Sequence, residues 1–213
     1  MNWYSIKNRI KYNWKRVLAI FFASIGTAIE ASLLLAYLFL SNPDDIFVLN
    51  IVNYVIVLLA YYYLLSGNIR GTTLAYRGFM LFVFFNFIDF AQILLFNVIG
   101  TSGAFFLGDI VATSIVLVSL GFLALGFISG LMTYINFRRY GAFGYNTTFE
   151  KVRNWCLVFT ICMVISYGSS LVVDLITLGS GADIIELLLT YLEPIGLICM
   201  SICSFITILR LKE

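Results

Sequence analysis

Six mostly apolar runs divide the chain, at about residues 17–40, 46–65, 74–99, 109–137, 154–178 and 184–209. A helix needs roughly 20 such residues to cross the ~30 Å hydrocarbon core, because lipid leaves every backbone N–H and C=O to be satisfied within the segment. A transmembrane barrel would show ~10-residue segments of alternating hydropathy instead, and the sequence has none. Composition agrees: 62% of residues are hydrophobic and 11% charged, against about a quarter charged in soluble domains. A mean hydropathy of +0.99 leaves too little polar surface to cover a globule in water. A soluble enzyme, a disordered chain and a nucleic-acid-binding domain are excluded. The expectation is an all-α polytopic bundle of six transmembrane helices forming a single membrane domain over residues 1–213.

The basic residues set the expected direction of insertion. All 13 Lys and Arg fall before residue 17 (Lys7, Arg9, Lys11, Lys15, Arg16), in the second loop and the first turn after it (Arg70, Arg77), between the fourth and fifth runs (Arg138, Arg139, Lys151, Arg153) or at the C-terminus (Arg210, Lys212). The positive-inside rule then puts both termini in the cytoplasm and the chain in the plasma (inner) membrane. Of the 11 acids, only Glu150 and Glu213 share that side. Trp3, Ile6, Ile10, Trp14 and Val17 recur at spacings of three and four, with Lys7, Lys11 and Lys15 one step round. That pattern predicts an amphipathic helix over 1–16, lying among anionic headgroups. The first, third and fifth runs each leave the basic side and carry an acid later (Glu30, Asp89, Asp174), which suggests three stacked hairpins. Turn-like breaks stand at 41–45, 66–68, 100–103 and 179–181, and residues 138–153 are expected to form the longest loop.

Much chemistry is missing. The chain has no histidine, which removes Ser-His dyads, HExxH zinc sites and imidazole relays together. Cys156, Cys162, Cys199 and Cys203 fall inside two apolar runs at no metal-ligand spacing and read as packing residues. No catalytic residue, metal site or cofactor is expected, and no enzyme. Asp109, after Gly108, and Asp183 read as helix-start residues at outer loops. Gly126 and Gly130 form a GxxxG pair, which lets helices approach closely. It serves either the bundle core or a homodimer contact.

Acids inside the spans are the informative feature. At 1.5 Å per residue, Glu30 lies about 20 Å and Asp89 about 22 Å from the inner boundary, with Glu193 about 14 Å below the outer one. A carboxylate near the bilayer centre costs on the order of 3 kcal/mol, yet no Lys or Arg lies at that depth. Such acids either carry protons or face a hydrated cavity and hold a cation. Asn86 and Gln92 flank Asp89 by one turn each, and Pro194 follows Glu193 and disrupts its helix. Discontinuous helices with carboxylates at the midplane recur in transport sites. Asp109, Asp174 and Glu186 sit nearer the outer boundary, where they would form a mouth that concentrates cations.

The expected function is a transport protein or permease subunit that binds a small cationic or proton-coupled solute between Glu30, Asp89 and Glu193, with Asn86 and Gln92 beside them. The alternative is a non-catalytic membrane subunit or assembly factor. Its basic loops, with Arg138 and Arg139, would dock a cytoplasmic partner such as an ABC-type ATPase. In topology alone, a headgroup helix followed by six spans is similar to some ABC exporter permease halves.

Overall fold

The computed structural model describes residues 3–40, 48–70, 74–94, 110–143, 146–177 and 184–210, with side chains over 14–39, 50–70, 74–94, 114–140, 149–172 and 191–210. Among the described residues there is no strand. The elements are α1 (Trp3–Leu40), α2 (Val48–Arg70), α3 (Leu74–Gln92), α4 (Ile110–Phe143), α5 (Asn146–Thr177) and α6 (Ile184–Arg210). Each of the six contains a stretch long and apolar enough to cross a membrane.

The helices follow one another around a closed ring, each packing on the next, and α6 returns to lie against α1. The most extensive packing is α4 on α5, α1 on α6 and α2 on α3. It therefore falls between the expected hairpins rather than within them. α6 also leans inward onto α2 and α3. Its span is half buried, the largest share of the six.

Exposure is inverted relative to a soluble protein. Phe39 is 79% exposed, and Val17, Phe21, Tyr62, Phe84, Leu125 and Ile128 also face outward. The interior holds Tyr61, Phe79, Phe82, Phe159 and Met163, together with Glu30, Asn68, Asn86, Thr133, Ser201 and Thr207. An apolar exterior around a partly polar core is what a lipid solvent selects, since polar groups find partners only inside. Many hydroxyls bond back onto their own helix, as Thr133 does to the Ser129 carbonyl (2.8 Å) and Ser201 to that of Leu197 (2.9 Å). Between α4 and α5, Ser119 and Ser166 each donate to the other's carbonyl, at 3.0 and 3.1 Å.

Glycines set the closest approaches. A Cβ on Gly67 would stand 2.2 Å from the Ala75 nitrogen, and one on Gly78 2.6 Å from the Ala60 oxygen. The expected break at 66–68 is thus helix: α2 continues to Arg70, and Gly67 is present because α3 lies against it. The GxxxG pair is used in the same way. Gly126 is covered by Met163 of α5, and Gly130 by Val83 of α3 and Phe159 of α5. That pair is packed inside the bundle, where it lets α4 approach α3 and α5 closely.

Other boundaries also moved. The expected loop at 138–153 is mostly helical, since α4 runs to Phe143 and α5 begins at Asn146. The α-helical part of the third span runs to Gln92, and residues 95–99 lie outside the described residues. α1 is one helix from Trp3 onward, with no break near residue 17, and Trp14 and Val17 are exposed. The breaks at 41–45, 100–103 and 179–181 lie outside the described residues, as do the side chains of Trp3, Ile6 and Ile10.

At the end of the bundle where α2 finishes, arginines hold its last carbonyls. Arg210 donates to the Asn68 carbonyl (2.9 Å) and to Asn68 Oδ1 (3.0 Å), and Arg16 donates to the Ile69 carbonyl. Final-turn carbonyls have no partner within their own helix, and cations are favoured there by the helix dipole. Asn68, 1% exposed, also donates to Thr207 Oγ1 and the Leu64 carbonyl, both at 2.8 Å. Asn68→Ala removes the side-chain bonds to Arg210 and Thr207 together. It is expected to cost about 1–3 kcal/mol, the usual penalty for buried polar groups left unmade, read as a lowered thermal unfolding midpoint in detergent.

Candidate functional site

The opposite end of α2 carries polar residues inside its span. Asn50, Asn53 and Tyr54 fall at spacings of three and one, so they share one helical face. Across from them, α3 presents Asp89, Gln92 and the following Ile93, and α6 presents Glu193. These seven residues line an open cavity of about 300 Å³. It lies near the start of α2, some 18 residues, or about 27 Å at helical rise, from the arginine-held end at Asn68.

Hydrogen bonds fix the lining. Asn53 Nδ2 donates to Gln92 Oε1 at 2.6 Å, joining α2 to α3. Asn53 Oδ1 is buried and accepts no bond. Asn50 Nδ2 donates to the Tyr37 hydroxyl at 3.2 Å, which brings in α1. Beneath the cavity floor, the Tyr167 hydroxyl of α5 lies 2.6 Å from Asn86 Oδ1 and 3.4 Å from Asp89 Oδ2. Asn86 donates its own amide to the Phe82 carbonyl at 2.7 Å. The Tyr167 hydroxyl thus sits between Asn86, its closer acceptor, and Asp89, which also lines the cavity. Among the described lining residues two are acids and none is basic, so the cavity is an acceptor-rich hollow in low dielectric.

Glu30 sits elsewhere. It is 1% exposed and lies on the buried stripe of α1 with Ala19, Ala23, Gly26 and Leu33. Its carboxyl rests on the α6 backbone at Gly196, where a Cβ would stand 2.4 Å from Oε1. Gly196 follows Glu193 by three residues, so Glu30 is about one turn, some 5 Å, deeper than the cavity acid. Tyr61 of α2 occupies the notch left by Gly26 and donates to the Gly196 carbonyl at 2.5 Å. Between Glu193 and Gly196 stands Pro194, inside the helix, which has no N–H to give the preceding turn.

No known protein family, curated protein or solved structure matches the chain. Any functional reading therefore rests on the geometry of the site.

Of the residues singled out in the sequence, Asp89, Gln92 and Glu193 meet at the cavity. Asn86 lies one turn below it and reaches it through Tyr167. Glu30 lies about one turn deeper, against Gly196, and is not among the residues that line the cavity. For the outer mouth, Asp109 lies outside the described residues, and so do the side chains of Asp174 and Glu186. Arg138 and Arg139 are exposed on the last turns of α4, Arg138 lying 5.7 Å from the Tyr134 ring centre. The sequence reading missed Asn50, Asn53, Tyr54 and Tyr167. The signal for the first three was present: three polar side chains on one face of an otherwise apolar span.

Proposed function

We propose that this protein is an integral membrane transport protein, or the permease part of one, that binds a small cationic solute beside Asp89 and Glu193. The observation that carries this reading is the open cavity between α2, α3 and α6, lined by Asp89 and Glu193 with the amide side chains of Asn50, Asn53 and Gln92 and by no basic residue. A carboxylate facing such a hollow is stabilised by a bound cation or proton, which offsets the cost of its desolvation. The contrast between the two ends of α2 supports the transport step: an open polar hollow near its start, and carbonyls held by Arg16 and Arg210 at its finish. Alternating access requires that the closed end open and the open end close. The distribution of Lys and Arg supports an orientation with both termini in the cytoplasm, which makes the cavity outward-facing. Residues 1–16 would then lie in the cytoplasmic headgroup layer, continuous with the first span. The test is uptake of small cations, guanidinium and methylammonium, into proteoliposomes containing the intact chain or its cavity variants.

One observation favours the second reading, a subunit that docks a cytoplasmic partner. At 1.5 Å per residue, α4 and α5 are each about 50 Å long, well beyond the ~30 Å hydrocarbon core. They carry Arg138, Arg139, Lys151 and Arg153, all exposed, toward their shared tip. Such a projecting basic hairpin suits an acidic surface on a soluble ATPase. Under this reading, reversing both charges with Arg138→Glu and Arg139→Glu lowers recovery of a co-purifying subunit at least about tenfold, since like charges then face each other across the contact. Quantitative pull-down from native membranes measures it, and unchanged recovery removes the docking reading.

A further inference from the structure

Glu30 is the only Asp, Glu, Lys or Arg among the described residues that is buried, and its Oε1 has no hydrogen-bond partner. It faces α6 and α2 across the most tightly fitted joint in the site. Gly196 admits the carboxyl only because it lacks a Cβ, and Tyr61 closes the remaining space by bonding the Gly196 carbonyl. The ionisable groups around it are Glu193 of α6, Tyr54 and Tyr61 of α2 and Tyr167 of α5, each within electrostatic reach. None of them is a cation. A permanent carboxylate here would be an unpaired charge in an apolar interior, and it would repel Glu193 one turn above.

From this geometry we infer that Glu30 is a proton-binding site, distinct from the cavity, whose proton is exchanged for the cation that enters beside Asp89 and Glu193. The cation half of this exchange rests on the transport reading above; the proton site does not. When a cation neutralises Glu193, the repulsion that opposes a charge on Glu30 falls. The Glu30 carboxylic acid then releases its proton to water through the cavity. One positive charge enters as one leaves, so the net charge of the interior is the same before and after the exchange. Departure of the cation restores the repulsion, and Glu30 takes a proton back. The coupling runs over three residues of α6, through a segment that Pro194 has already freed from one backbone hydrogen bond. It is reciprocal, as any linkage between two sites must be.

The experiment is modification of the intact, lipid-reconstituted protein by N,N′-dicyclohexylcarbodiimide. The reagent takes the proton of a carboxylic acid onto its own nitrogen, is attacked by the carboxylate oxygen, and rearranges to a stable N-acylurea where water is excluded. Peptide mass spectrometry is expected to place the label on Glu30 at about ten times the extent seen on Asp89 or Glu193. Glu30→Gln removes it. Glu193→Gln supplies the neutralisation that a bound cation would, without any ligand. At a fixed alkaline pH it is expected to lower Glu30 labelling by about threefold or more, the scale of a Coulomb interaction between near neighbours at intermediate dielectric. Absence of label on Glu30 in the wild-type chain overturns the proposal, and so does label that Glu193→Gln leaves unchanged. Loss of the transport reading would instead appear as cation uptake insensitive to Asp89 and Glu193, with the carbodiimide pattern intact.

Discussion

The double variant Asp89→Asn, Glu193→Gln will take up guanidinium and methylammonium no faster than empty liposomes. Each substitution keeps the side-chain volume and exchanges a carboxylate for a neutral amide, so the packing of α3 and α6 is preserved while the charge is lost. A hydrogen bond to a charged group contributes about 1.5–3 kcal/mol, which is roughly ten- to a hundred-fold in affinity per acid at 1.4 kcal/mol per decade. The single variants should therefore weaken uptake at limiting solute by about that factor. The double should fall below detection, because the amides offer donors where the solute needs acceptors. Asp89→Asn carries a further consequence, since the carboxyl is held from below by Tyr167. Tyr167→Phe is expected to weaken uptake by a smaller factor, on the order of fivefold, the value of one neutral hydrogen bond. Glu150, on the exposed start of α5 with 66% of its side chain accessible, provides the control: Glu150→Gln should leave uptake unchanged. Uptake by the double variant at the wild-type rate would end the transport reading of the cavity.

The spans were legible because lipid imposes one rule that sequence obeys plainly: about 20 apolar residues for each crossing. Helix ends obey a different rule. Residues 66–70, 138–143 and 146–153 are polar, glycine-bearing or basic, yet they remain helical, because at the membrane surface water and headgroups satisfy such side chains without ending the backbone ladder. Gly67 is the instructive case. Gly marks a turn in water-soluble chains far more often than a contact, and only the position of Ala75 across the interface explains it here. In the site, arithmetic of rise per residue put Glu30, Asp89 and Glu193 at similar depth. Depth says nothing of azimuth, which depends on how neighbouring helices rotate against each other. That rotation brought Asp89 and Glu193 into one hollow and turned Glu30 onto the α6 backbone. Asn50, Asn53 and Tyr54 were overlooked because none is charged, although three polar groups on one face of a span already mark a wet side.

Gly78→Ala is expected to be among the most damaging single-methyl changes in the protein, and Gly121→Ala harmless. A Cβ on Gly78 would stand 2.6 Å from the Ala60 carbonyl oxygen and 2.8 Å from the Leu64 nitrogen. Both are backbone atoms of α2, so no side-chain rotation relieves the clash and the two helices must separate. Overpacking of this kind costs about 1–3 kcal/mol. A Cβ on Gly67 meets the Ala75 nitrogen at 2.2 Å, so Gly67→Ala forces the same pair apart three residues beyond Leu64 along α2. Combining the two should remove on the order of 2–6 kcal/mol, a large share of the ~5–15 kcal/mol typical of a folded domain. Because Asn53 and Gln92 bridge the same two helices, the cavity should lose its shape before the bundle unfolds. Gly126→Ala meets only the terminal methyl of Met163, at 1.8 Å. That flexible side chain can swing aside, so the cost should stay below about 1.5 kcal/mol. Gly121 has nothing within 4 Å of its virtual Cβ. There alanine should stabilise the helix by about 0.5–1 kcal/mol, through the smaller backbone entropy lost on folding. Thermal unfolding in detergent, followed by helical circular dichroism, ranks the four variants. If Gly78→Ala melts with Gly121→Ala, α2 and α3 do not meet along this seam, and the α2 wall of the cavity fails with it.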